Sequence, residues 1–202
     1  MKPRENIETI YKVALSVFAE FGYQKTTMED IAGKLNMTKG NLYLYVKNKK
    51  DLYHKTVSYA LLAWQSKVLE TVNNEPDIKN KFYTMCFKAV EYLSENHQLQ
   101  QVLNRDPEIF PMFSANDPFY EINNNSAALI KAILDQGIKE KVFRKMEPER
   151  MSEALFMIYK MFVIRIYIKT EDKLIHEMYK DTVDLLANGL FIKDMEKTNE
   201  KT

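Results

Sequence analysis

The residues best suited to contact a nucleic acid lie together in residues 26–52, TTMEDIAGKLNMTKGNLYLYVKNKKDL. No acidic residue occurs between Asn36 and Lys50, whereas lysines and aromatic residues are frequent there. If the segment forms two helices joined by a tight turn, the outer face of the second helix carries Lys39, Gly40, Asn41, Tyr43, Leu44 and Tyr45. A DNA major groove accepts such a helix, because N-terminal side chains meet base edges while flanking cations meet phosphates. The pattern favours DNA binding over an ordinary helical hairpin with a solvated face.

Two short helices must hold this face in position, and we predict them at residues 28–35 and 38–45. Ala32 falls where the helices cross, and its small side chain lets them pack closely. Asn36 falls in the turn, where a left-handed backbone is needed and asparagine tolerates one. Four apolar residues are spaced to form a small core beneath the turn: Ile31, Leu35, Met37 and Leu42.

Charge is distributed unevenly along the chain, although the net charge is only +1. Residues 1–56 contain ten Lys and Arg and six Asp and Glu, a balance of +4, and the remaining 146 residues have a balance of −3. A basic N-terminal part on an acidic remainder indicates a polyanionic partner for the N-terminal part alone.

The rest of the sequence is typical of an all-α fold, because apolar residues recur every three or four positions and only 5 glycines and 6 prolines occur in 202 residues. About nine helices are predicted, at residues 7–21, 28–35, 38–45, 49–72, 77–97, 98–104, 117–140, 147–169 and 172–191. We expect three regions. They are a three-helix, helix-turn-helix DNA-binding head (1–48), a larger helical body for ligand binding and dimerisation (49–195), and a polar tail (196–202).

No arrangement of residues indicates catalysis, a metal site or a cofactor. The three histidines fall on different predicted helices without a carboxylate or cysteine at ligand spacing, and no phosphate-loop, dinucleotide-binding or nucleophile-elbow motif occurs. Cys86 is the single cysteine, and the longest apolar stretch, residues 158–168, is interrupted by Lys160 and Arg165. We therefore expect a cytoplasmic protein that is not an enzyme, has no cofactor and does not span a membrane.

The stretch from Phe18 to Leu52 resembles the N-terminal domain of the TetR-like (tetracycline repressor) family of transcriptional regulators. The resemblance lies in a first helix that ends FAEFGY, a Thr before a short helix with an Ile-Ala pair, and the run TKGNLYLYVKNKKDL. It implies that Thr27 and Lys49 contact phosphates and that Thr38 caps the recognition helix. It also implies that one set of residues faces the groove or its walls, namely Lys39, Gly40, Asn41, Tyr43, Leu44 and Tyr45.

Aromatic and sulfur-containing side chains are concentrated between the predicted fourth and eighth helices, and most of them are expected in the core. A subset suits the lining of an adaptable apolar cavity, and in the resembling family an inducer pocket occupies this region. The candidate lining residues are Trp64, Met85, Cys86, Phe87, Arg105, Phe110, Phe113, Phe119, Tyr120, Phe156 and Tyr159. Arg105 either receives an anionic head group or pairs with a neighbouring carboxylate.

The predicted eighth helix is apolar on nearly every side, so it must be covered on two sides. Pairing of the eighth and ninth helices with the same helices of a second chain would give a four-helix bundle, and burial within one chain is the alternative. The candidate interface residues are Phe162, Ile164, Arg165, Ile168, Met178, Val183 and Leu186.

These features predict a ligand-responsive, homodimeric regulator that binds double-stranded DNA at an inverted-repeat operator. We expect it to act as a repressor that a small, mostly apolar effector releases from DNA. An alternative from another class is an all-helical interaction module whose basic head binds an acidic protein or a membrane surface.

Overall fold

The computed structural model describes residues 6–106, 109, 111, 117–169 and 173–192. Within these residues the fold is all-α, as predicted, and a π-helical segment, Ile164–Lys169, continues the eighth helix. The α-helices of the described residues are α1 (Ile7–Lys25), α2 (Met28–Lys34), α3 (Lys39–Leu42), α4 (Lys49–Asn73), α5 (Ile78–Glu95), α6 (His97–Arg105), α7 (Tyr120–Lys139), α8 (Pro148–Val163) and α9 (Lys173–Leu190).

Most helix ends differ from their predicted positions by a few residues, and two of these differences lie in or next to the helix-turn-helix. The recognition helix α3 is shorter than predicted and ends at Leu42. Helix α1 continues to Lys25 across the predicted stop at Gly22, where the backbone leaves the helical region with φ 78° and ψ 161°. Glycine is suited to this conformation because it has no Cβ to clash with the backbone at positive φ.

Polar side chains fix where the first six helices begin. Each cap residue accepts a hydrogen bond from a backbone N–H of the first turn, which satisfies a donor that has no partner within the helix. The cap residues are Asn6, Thr27, Thr38, Asn48, Asp77 and Asn96.

Helices α2 and α3 form the predicted helix-turn-helix. Asn36 adopts the left-handed conformation expected of it, with φ 52°. The turn is closed by a hydrogen bond from the Met37 N–H to the Ala32 carbonyl at 3.0 Å. Ile31 and Leu42 are fully buried beneath it. The short α3 is therefore held by its Thr38 cap and by this core rather than by its own length.

Helix α4 connects the helix-turn-helix to the remaining helices. It packs against α1 at one end of the molecule and against α5, α6 and α7 elsewhere, and α8 covers α7. The chain returns after α9, where the ring of Phe191 stacks on Phe143 with 5.1 Å between centroids. Helix α4 therefore contacts both α1, which precedes the helix-turn-helix, and the helices of the body.

Phe143 also explains the glycine in the last turn of α7. The Phe143 ring occupies the space in which a side chain at Gly137 would lie, and Phe143 itself is 1% exposed. Glycine is needed at this position for close packing rather than for an unusual backbone angle.

None of the helices in the described residues is long and apolar enough to cross a membrane.

Candidate DNA-binding surface and effector cavity

The outer face of α3 presents most of the predicted DNA-contacting residues to solvent. Thr38 caps the helix through the Asn41 N–H at 3.2 Å, so its predicted capping function is observed. Lys39, Gly40, Asn41, Tyr43 and Leu44 are exposed, and Leu44 is the most exposed apolar side chain of the group at 75%. Tyr45 is half-buried against the core. Leu44 contributes little to the packing of the protomer, and both Leu44 and Tyr43 suit an apolar contact with a partner.

The charge of Lys39 is partly neutralised in the protein without DNA. Its Nζ lies 2.6 Å from Oε1 of Glu29 and 6.0 Å from the centroid of the Tyr43 ring. The Lys39–Glu29 hydrogen bond raises the pKa of Lys39 and lowers the pKa of Glu29. Both groups are exposed, so the pair exchanges readily with solvent and a phosphate would compete with Glu29 for the ammonium.

Thr27 is exposed at the start of α2, but its hydroxyl already has a partner. It donates to Oδ2 of Asp30 at 2.7 Å and accepts from the Asp30 N–H at 3.2 Å, and the same carboxylate accepts the Thr27 N–H. The Thr27 hydroxyl and N–H lower the pKa of Asp30. This capping box fixes α2, and the phosphate contact of Thr27 remains a prediction.

Lys49 holds two helices together, which the sequence analysis did not anticipate. Its Nζ donates to the carbonyl oxygens of Tyr23 at 2.9 Å and Thr26 at 3.0 Å and lies 4.6 Å from the centroid of the Tyr23 ring. The ammonium thus satisfies carbonyls at the C-terminal end of α1 from the first residue of α4. A phosphate contact by Lys49 would have to share or replace these bonds.

A second set of contacts joins α1 and α4 to the end of α6. The Tyr53 hydroxyl of α4 donates to Oδ2 of Asp106 at 2.7 Å, and burial together with this carboxylate raises the pKa of Tyr53, which keeps it protonated. Arg105 donates to the carbonyl of Glu20 in α1 at 3.1 Å. This interhelical bond was not among the alternatives considered for Arg105. We call these contacts the α6 junction.

The body contains a partly open cavity of about 280 Å³ bordered by α4, α5, α7, α8 and α9. Five of the residues predicted to line a cavity do so: Trp64, Met85, Cys86, Phe156 and Tyr159. Cys86 is uncharged at neutral pH, because burial raises the pKa of its thiol to about 12. The volume is near the lower end of the range for small-molecule sites.

Other predicted lining residues lie elsewhere. Phe87 packs edge-on against Tyr179, with 6.1 Å between ring centroids, and does not line the cavity. Arg105 and Phe119 border a different, more open hollow beside the α6 junction. Tyr120 is 53% exposed on α7. Phe110 and Phe113 lie outside the described residues. The aromatic composition indicated a cavity, but not which aromatic residues face it.

Exposed apolar side chains recur along α8 and along α9. Their spacings of four and seven place those of each helix on one face. They are Met157 (56% exposed), Met161 (40%), Leu174 (56%), Met178 (42%) and Leu185 (74%). We call this set the α8–α9 stripe.

The predicted interface residues divide between this stripe and the interior. Met178 belongs to the stripe, Arg165 is exposed and Ile164 is half-buried. Phe162 and Val183 are 4% and 3% exposed, so they form part of the protomer core and not of an interface. Of the two remaining predicted residues, Leu186 lines the cavity. The side chain of Ile168 lies outside the described part of the chain.

The geometry of a helix-turn-helix with an exposed recognition helix on an all-helical body defines a DNA-binding transcriptional regulator. Residues 10–56 match the family model described as bacterial regulatory proteins, tetR family. The N-terminal part of the chain is therefore similar to the DNA-binding domain of the TetR family of transcriptional regulators, as its resemblance implied.

Individual relatives are distant in sequence. The chain is 24% identical to the HTH-type transcriptional regulator YhgD of Bacillus subtilis over 151 residues, which cover 74% of this chain and 78% of YhgD. It is 23% identical to IcaR of Staphylococcus aureus, the negative transcriptional regulator of the biofilm operon icaADBC, over 89% of this chain and 95% of IcaR. FadR of B. subtilis, solved in complex with stearoyl-CoA, has the same fold with a TM-score of 0.73 and 19% identity, covering 91% of this chain and 99% of FadR.

Proposed function

We propose that this protein is a homodimeric, ligand-responsive repressor that binds an inverted-repeat operator and is released by a small, mostly apolar effector. The observation that carries the proposal is the exposed face of α3, supported on a buried helix-turn-helix core. Residues 1–48 would form the DNA-binding head and residues 49–195 the effector-binding and dimerisation body. Repression agrees with the negative regulation named for IcaR. The protein would act in the cytoplasm and would not be an enzyme.

On DNA, the recognition helix would lie in the major groove with Lys39, Asn41 and Tyr43 near the base edges and Gly40 close to the backbone or groove wall. Leu44 and Tyr45 would supply apolar contacts, and Thr27 and Lys49 would lie near phosphates. Lys39 would leave Glu29 for the more strongly negative DNA. These assignments combine hydrogen bonding to bases with positioning by phosphates.

The experiment is enrichment of bound duplexes from a random pool, followed by fluorescence anisotropy on the enriched and a scrambled sequence. Tyr43→Ala should weaken binding of the enriched duplex by about 1–3 kcal/mol, since the tyrosine would contact bases or the groove wall. Val13→Ala, on the half-buried part of α1, is the control for a small loss of stability. Equal binding of both sequences by the wild type would instead support the interaction-module alternative.

Dimerisation would bury the α8–α9 stripe against the same stripe of a second chain. Leu185→Glu should yield monomers in sedimentation equilibrium without unfolding the protomer, because Leu185 is 74% exposed. Tyr120→Glu, at an aromatic residue 53% exposed on α7, is the matched control and should leave the dimer intact. If the Leu185→Glu variant remained a dimer, the interface would have to lie on another face of the protomer.

Effector release would follow from a shift between two arrangements of the body. A ligand in the cavity contacts α4 directly, and α4 reaches the helix-turn-helix through Lys49 and the α6 junction. A small rotation of α4 changes the separation of the two recognition helices of a dimer. The ligand needs a different affinity for the two arrangements in order to shift their populations.

A further inference from the structure

The cavity in the body differs from many ligand sites in its lack of charge. Among the described residues that line it there is no aspartate, glutamate, lysine, arginine or histidine. Most of its buried lining is apolar or aromatic, for example Phe82, Met85 and Val183, and we call these buried lining residues the deep wall. A charged group placed there would lose its hydration without gaining an opposite charge, which is strongly unfavourable.

Three polar groups of the cavity lining have partners in the protein. Trp64 Nε1 donates to the carbonyl of Ala89 at 2.9 Å. The Tyr179 hydroxyl donates to the carbonyl of Cys86 at 2.9 Å. Thr182 Oγ1 donates to the carbonyl of Met178 at 2.7 Å. These groups stabilise the cavity wall and are poorly placed to supply a new hydrogen bond to a ligand.

Gln65 lines the cavity, and two hydrogen bonds fix its amide and leave its carbonyl oxygen as an acceptor. Gln65 Nε2 donates to the carbonyl of Ile122 at 2.7 Å and to Ser126 Oγ at 2.8 Å. The Ile122 carbonyl fixes the orientation of the amide, because only its NH₂ end can donate there. Both N–H groups are therefore used, and the described residues provide no donor to Oε1 of Gln65. Ser66 and Asn125 also line the cavity and carry no charge.

We propose that the cavity selects an uncharged amphiphile with a hydroxyl or N–H group, which donates to Oε1 of Gln65 while its apolar part fills the deep wall. The proposal rests on the proposed function in one respect, namely that this cavity is the effector site. It also places the polar end of the effector between α4 and α7, so that binding acts on the helix that leads to the DNA-binding head.

Lys160 is the cation that most directly challenges this proposal. It is 8% exposed, its Nζ lies 3.3 Å from the Pro111 carbonyl, and it lies 5.1 Å from the centroid of the Phe156 ring. Phe156 lines the cavity and Lys160 does not. An anionic ligand would have to reach beyond the lining residues to pair with the ammonium, and the experiment includes a variant for that outcome.

The test measures binding of four eight-carbon probes to the full chain without DNA, by calorimetry and thermal shift. The probes are 1-octanol, its methyl ether, octanoate and octylammonium. The wild type should bind 1-octanol about 10-fold more tightly than the ether, which has no donor, and at least about 100-fold more tightly than either ion. Gln65→Leu should remove the preference for the alcohol over the ether, and Gln65→Met is the second variant should Gln65→Leu fail to fold.

Gln101→Leu makes the same change on an exposed position of α6 and should retain the preference. Octanoate binding as tightly as 1-octanol would overturn the proposal, and loss of that binding in Lys160→Met would assign the head group to Lys160 instead. Binding of none of the four probes would also overturn it. If 1-octanol binds with the expected preference but leaves DNA binding unchanged, the selectivity stands and the proposed release of DNA by this cavity fails.

Discussion

Two exposed glycines in the helix-turn-helix provide a direct test of the proposed DNA contact. A Cβ added to Gly40 in α3 would meet only Thr38 Oγ1 at 3.9 Å, and a Cβ added to Gly33 in α2 would meet nothing within 4 Å. Neither glycine has a positive φ. The protomer therefore has room for alanine at both positions, and each substitution should leave folding unchanged or stabilise it by up to about 1 kcal/mol.

The two variants should differ only in their affinity for DNA. If the α3 backbone at Gly40 packs against the groove, an added methyl group should cost about 1–3 kcal/mol, as overpacking does in tightly packed contacts. That range corresponds to a loss of affinity of about 5- to 150-fold. Gly33 lies on α2, away from the proposed contact face, so Gly33→Ala should bind with nearly the wild-type affinity.

The assay is fluorescence anisotropy of the enriched duplex at one fixed salt concentration, because DNA affinity depends steeply on salt. Urea unfolding of each variant separates stability from binding. A Gly40→Ala protein that is stable and binds DNA within a factor of two of wild type would refute close approach at Gly40. An equal loss in both variants would point to a general effect on the helix-turn-helix.

The remaining predictions concern the ion pair, the α6 junction and the core. Glu29→Gln should raise DNA affinity, because Lys39 then has no carboxylate partner to leave and a negative charge near the DNA is removed; an unchanged affinity would count against a DNA contact by Lys39. Tyr53→Phe should lower the free energy of unfolding in urea by about 1.5–3 kcal/mol, because it removes a partly buried hydrogen bond to the Asp106 carboxylate. A decrease below about 0.5 kcal/mol, which is less than such bonds usually contribute, would show that this bond adds little to the α6 junction. Gly137→Ala should cost about 1–3 kcal/mol or more through its clash with Phe143, and wild-type stability would mean that the ring moves aside.

The helix-turn-helix could be predicted closely from the sequence because its determinants are local. The Thr27 and Thr38 caps, the left-handed Asn36 and the spacing of Ile31 and Leu42 all lie within a few residues of the structure they specify. Local sequence patterns do not reveal which side chains contact residues that are distant in sequence. The sequence does not show that the Lys49 ammonium binds the carbonyls of Tyr23 and Thr26, because this contact depends on how α1 packs beside α4.

The body was less predictable because a helix that is apolar on all sides does not reveal which side meets which neighbour. Phe162 was assigned to an interface but lies in the core, with its ring 5.1 Å from that of Tyr179. Met161, one residue earlier, faces outward instead. Gln65 was missed because a glutamine on a helix is usually solvated, and only the position of α7 relative to α4 shows that its amide lies at the cavity.

A hydroxyl-radical footprint of the full chain on its enriched duplex tests the central claim most directly, since it reports both the DNA contact and the dimer. We expect two protected half-sites related as an inverted repeat, with centres about 34–36 Å apart or a multiple of that distance. Leu185→Glu should weaken both half-sites together, because specific binding needs two recognition helices. Protection of a single half-site by the wild type, or equal protection of a scrambled duplex, would contradict the account.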